Sequence, residues 1–99
     1  MKKVYKFSGT VNKFPMETAW YFVYVPKEIT EEIFSKVNLR ATPFKFLPIY
    51  AILEGIKWET ALLPHGKMQF FIAIKKDVRK KTFVDVGDKV EISFSLRGV

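Results

Sequence analysis

Apolar and polar positions alternate from the start of the chain. Between Val4 and Val11, Tyr5, Phe7, Gly9 and Val11 fall on one face of an extended segment and Lys6, Ser8 and Thr10 on the other, which is the period of a strand. After a turn at Pro15, Trp20-Tyr21-Phe22-Val23-Tyr24-Val25 is aromatic and β-branched on both faces and predicts an inner strand. At Pro26 the period changes. Ile29, Ile33, Phe34 and Val37 recur at helical spacing, and Glu28, Glu31 and Glu32 stand early in the segment, where a helix dipole favours carboxylates.

The stretch from Asn38 to Lys45 reads as loop and leads into a strand from Phe46 to Leu53. Glu54-Gly55 predicts a tight turn, and Ile56 to Leu63 returns as a strand containing Trp58. A second turn, Pro64-His65-Gly66-Lys67, precedes an apolar strand from Met68 to Ile74. Lys75 to Lys81 reads as a short basic helix with Val78 buried, and Val86-Gly87-Asp88-Lys89 turns into a last alternating strand from Val90 to Leu96. The expectation is a mostly β single domain over residues 1–99. It has six strands and two short capping helices, in a closed or double-split β-barrel, since closure removes exposed strand edges.

Two segments 49 residues apart line up. Phe22-Val23-Tyr24-Val25-Pro26-Lys27-Glu28-Ile29-Thr30-Glu31-Glu32 matches Phe71-Ile72-Ala73-Ile74-Lys75-Lys76-Asp77-Val78-Arg79-Lys80-Lys81 as a strand running straight into a helix. Any junction of strand and helix needs apolar residues followed by charged ones, so chance and duplication both explain the match. If it is a duplication, the chain is two halves related by a pseudo-twofold axis, with the helices capping opposite ends.

Ile74-Lys75-Lys76-Asp77-Val78-Arg79-Lys80-Lys81 followed by Val86-Gly87-Asp88-Lys89-Val90-Glu91-Ile92 resembles the box of AbrB-type swapped-hairpin domains, matched in the first half by Val25-Pro26-Lys27-Glu28-Ile29 without the later Arg and Gly-Asp. Over nearly the whole chain the sequence more closely resembles domain of unknown function family 1905. The residues that carry this likeness are Trp20 through Pro26, Glu54-Gly55, Trp58, Thr60 through Gly66, Val78-Arg79-Lys80 and Val86-Gly87-Asp88. That resemblance implies a six-stranded barrel and no established activity. Ala61 stands where that family usually has Ser, which removes any role for a hydroxyl there.

Composition narrows the chemistry. Ten Phe, four Tyr and two Trp in 99 residues are enough to build a core without staples. The chain has no Cys, which excludes a disulfide framework, a thiolate nucleophile and Cys-rich zinc sites, and suits a cytoplasmic location. Lys6 interrupts any export signal, and Pro48 breaks the longest apolar run, so no membrane partner is expected. The net charge of +7 is spread over both halves, with eight basic residues against four acidic up to position 49 and nine against six beyond it.

Arg79, flanked by Lys75, Lys76, Lys80 and Lys81, can hold an anion or a nucleic-acid phosphate with its forked donors. Alternatively it pairs with Asp77, Asp88 or a carboxylate of the first helix. Trp20 and Trp58 can line a ligand pocket, although their places in strand patterns also suit core packing. His65 has no second ligand nearby for a metal, Glu54 and Glu59 flank a hairpin on uncertain faces, and Thr60, Ser93 and Ser95 have no base beside them. No catalytic constellation, cofactor loop or metal set assembles. The expectation is a non-catalytic binding module for an unknown ligand. The alternatives are a weak nucleic-acid binder and an enzyme or accessory domain with a cleft around Arg79.

Overall fold

The computed structural model describes residues 3–14, 20–36, 47–64 and 69–97. The expected turn at Pro15, the loop from Asn38 to Lys45 and the His65-Gly66-Lys67 turn lie outside them. Seven strands and two helices follow in order: β1 (Tyr5–Thr10), β2 (Asn12–Lys13), β3 (Tyr21–Tyr24), α1 (Lys27–Lys36), β4 (Leu47–Leu53), β5 (Ile56–Pro64), β6 (Phe70–Ile74), α2 (Lys76–Thr82) and β7 (Lys89–Leu96).

The strands form one antiparallel sheet in the order β1-β7-β4-β5-β6-β3-β2. Its two outer members, β1 and β2, are consecutive pieces of the same chain, so the sheet curls into a nearly closed barrel. The seventh strand, beyond the six expected, is the product of this closure. At Val11 the chain leaves β7, where Thr10 pairs with Lys89, and passes to β3, where Asn12 pairs with Phe22. Val11 belongs to neither ladder: its N–H donates to Asp88 O at 2.8 Å and its carbonyl accepts from Gly87 N at 2.9 Å. Gly9 lets the strands converge here, since a Cβ on it would lie 2.5 Å from Cγ1 of Val23.

Alternation places the core. Tyr5, Phe7 and Val11, then Ile49, Ala51 and Leu53, and Val90, Ile92 and Phe94 all point inward with Val23, Leu62, Phe70, Ile72 and Ile74. The apolar second face expected for the strand at Trp20 to Val25 is real for Phe22, which is buried on the outside of the barrel. There it stacks on Phe14 at 4.1 Å and meets Phe71 edge-on at 5.3 Å. Glu54 and Gly55 both have positive φ, 51° and 77°, the conformation a two-residue hairpin between β4 and β5 demands.

The 49-residue repeat has a geometric counterpart. In the ladder between β3 and β6, Phe22 pairs with Ala73, Val23 with Ile72 and Tyr24 with Phe71. Shifting every number by 49 turns the first pair into the last and leaves the middle one in place, as a twofold axis through Val23 and Ile72 requires. Both helices begin at matching positions, Lys27 and Lys76. With β1 and β2 taken as one bent strand, the half-turn exchanges β3 with β6, β4 with β7 and β5 with β1/β2. Because β3 and β6 run antiparallel, the helices that follow them close opposite ends of the barrel.

Candidate functional site

The two ends are closed differently. At one end α1 has ten residues, Ile33 is buried, and Phe34 stacks on Phe70 with ring centroids 5.2 Å apart. The helix is also tied to β1, because Glu32 accepts from Lys3 and Tyr5. These contacts hold the Glu32 carboxyl down at about 2, chiefly through the Lys3 and Tyr5 hydrogen bonds. Burial, reinforced by the Glu32 carboxylate, pushes the Tyr5 phenol up to about 12.

At the other end α2 has only seven residues. Asp77 in its first turn and Arg79, Lys80 and Lys81 in its last suit the helix dipole, and Val78 anchors it in the core. The helix stops at Phe83, whose backbone is left-handed at φ 59° and whose N–H closes on Arg79 O at 2.8 Å. Phe83 is the half-turn equivalent of Phe34. Thrown outward by that reversal, it is 87% exposed and leaves Tyr21, the equivalent of Phe70, without a phenyl lid.

Arg79 takes that place. Its guanidinium carbon lies 3.8 Å from the centre of the Tyr21 ring, a cation–π stack. Its Nε is buried and has no hydrogen-bond partner among the described residues. The carboxylates expected as possible partners are not among its ion pairs in the described residues. Asp88 accepts from Asp85 N, Glu32 faces Lys3 and Lys36, and Glu31 faces Lys27.

Beside this stack opens a cleft of about 660 Å³. Its walls come from Trp20, just before β3 and 50% exposed, together with Tyr21 and Thr60. Ile74, Leu63 and Ala73 give it an apolar floor, and Lys75, Lys76 and Arg79 form its basic side. Among the described residues no carboxylate lines it. The basic cluster of the sequence is thereby divided, since Lys80 and Lys81 lie on exposed parts of α2 outside the cleft.

The other sequence candidates are scattered. Trp58 points inward from β5, is 7% exposed and belongs to the core; its Nε1 is buried without a partner among the described residues. Glu54 occupies the hairpin turn, and Glu59 lies 3.9 Å from Arg97 on the barrel's outer side. Ser93 and Ser95 alternate outward along β7. His65 is outside the described residues, among which no group of three His, Cys, Asp or Glu side chains could hold a metal. Among the described residues no helix is long and apolar enough to cross a membrane. Sequence reading missed Tyr21. The signal was there, because extending the repeat one step back aligns Tyr21 with Phe70.

The half-turn carries the cleft onto a second hollow of about 400 Å³ at the α1 end, lined by Gly9, Tyr24, Val25, Pro26, Lys27 and Gln69 among others. Gln69 stands in the place of Trp20 and fills it by donating to Val25 O at 3.0 Å. Pro26 stands for Lys75, and Thr30, buried and donating to Pro26 O, stands for Arg79.

The family model described as Domain of unknown function (DUF1905) matches residues 7–94. No curated protein matches the chain.

Proposed function

We propose, from the premise that the chain belongs to the DUF1905 family, that it is a non-catalytic module that binds a small molecule in the cleft beside α2. The observation that carries this reading is Arg79, held against Tyr21 with an unpartnered Nε and no carboxylate among the described residues that line the cleft. A half-exposed indole at the same opening gives a ligand an aromatic surface to displace water from. The described lining offers donors and apolar area but no paired acid and base of the kind that turnover needs.

Nucleic acid is a weaker fit. The end of the barrel related to α2 carries Glu28, Glu31 and Glu32 on α1, so a basic face is not repeated across the two halves. A thermal-shift screen of metabolites tests the module reading. A true ligand at a hundred times its dissociation constant stabilises the fold by about 2.7 kcal/mol. Chemical conversion of the compound in the same samples would replace the module with an enzyme.

A further inference from the structure

The pseudo-twofold axis supplies an internal control for the cleft. Whatever the barrel needs for its own stability at the α2 end it needs equally at the α1 end, where the strands, the helix start and the hollow recur. Yet Trp20 is answered there by Gln69, Lys75 by Pro26 and Arg79 by Thr30. Lys76 alone has a cationic equivalent, Lys27. The α1 end closes without an indole or a rim lysine at these positions, and with a phenyl ring where the α2 end has the Arg79 guanidinium; the indole and the rim lysine beside that guanidinium are explained by what enters there.

Resting on the reading of this cleft as a binding site, we infer that its ligand is of mononucleotide type: a planar heteroaromatic ring joined to a phosphate. Three cations without a lining carboxylate among the described residues select an anion, and the guanidinium fork suits a tetrahedral oxyanion. A bare phosphate leaves most of the space empty, since about 660 Å³ lies within the roughly 300–1,000 Å³ of sites that bury small organic ligands. The remaining wall is the exposed Trp20 indole over an apolar floor of Leu63 and Ala73, which suits stacking of a base.

Titration of the protein with adenosine 5′-monophosphate, uridine 5′-monophosphate, adenosine, ribose 5-phosphate and inorganic phosphate, followed by Trp fluorescence and calorimetry, tests the assignment. At least one nucleotide should bind ten times or more tighter than adenosine, ribose 5-phosphate or phosphate, a gap of about 1.4 kcal/mol for each tenfold step. Trp20→Ala should reduce nucleotide affinity to that of ribose 5-phosphate while leaving phosphate binding unchanged. Arg79→Lys should weaken every phosphate-bearing probe about tenfold. Lys75→Ala, at an exposed rim position, gives the same direction of effect should the Arg79 variant fail to fold. Gln69→Ala, in the related hollow, should change nothing. Equal affinity for nucleotide and phosphate, or indifference to Trp20→Ala, overturns the nucleotide assignment. If no nucleotide binds while another compound from the wider screen binds in a Trp20-dependent way, the assignment fails and the binding module stands. If nothing at all binds in the cleft, both fall.

Discussion

Single residues set two points at which this barrel can be probed. Gly9 is one, because a side chain there meets Cγ1 of the fully buried Val23 at 2.5 Å. Gly9→Ala should destabilise by about 1–3 kcal/mol, the range for overpacking a filled core, as read from a urea melt. An unchanged midpoint would mean that β1 and β3 can separate freely. Glu32 is the other. Its carboxyl is held at about 2 against an ordinary 4.5, so the stabilisation it gives is complete above about 4.5 and is lost as pH falls toward 2. The difference in melting temperature between the wild type and Glu32→Gln should therefore shrink steadily across that window. Tyr5 acts in the opposite direction, because its phenol is raised to about 12. What the protonated phenol contributes is present below about 10 and lost as pH rises toward 12, and Tyr5→Phe should remove that alkaline dependence.

Among the elements, α2 is the one whose end matters. Phe83 adopts a left-handed backbone that costs a residue with a Cβ about 1–2 kcal/mol, and its exposed ring returns little packing. Phe83→Gly should raise stability by about 1 kcal/mol in a chemical melt, and a loss instead would show that the ring has a contact of its own. This was the part of the molecule least legible in the sequence. Strand and helix periods were plain wherever a face is buried, as in Tyr5, Phe7 and Val11 or Val90, Ile92 and Phe94. Helix ends and side-chain convergence were not. Nothing local in Lys80-Lys81-Thr82-Phe83 says that the helix stops one residue before its aromatic lid, and Trp20 looked like a strand residue because its neighbours are. Arg79 was legible as a cation and illegible as a partner of Tyr21, which lies 58 positions earlier and is reached only through the fold.

For the whole molecule, the half-turn predicts an equivalence of connections. The hairpin pair Leu53 and Ile56 maps onto the pair Phe94 and Tyr5, so the two junctions between halves occupy related places. A circular permutant opened between Glu54 and Gly55, with the residues after Arg97 joined to those before Lys3 by a short flexible linker, should fold to the same barrel. Its stability in a urea melt should lie within about 2 kcal/mol of the parent, because lengthening a loop costs little. A permutant that stays unfolded would mean that the hairpin, and not the ring, organises the chain. The unequal helices have a consequence for descent as well. Continuing the helix through Phe83 would carry its ring toward Tyr21 as Phe34 covers Phe70, displacing Arg79 and narrowing the opening with no change to a single strand. On the proposed reading of the cleft, its width is thus a matter of where the second helix ends, a change within reach of a few substitutions.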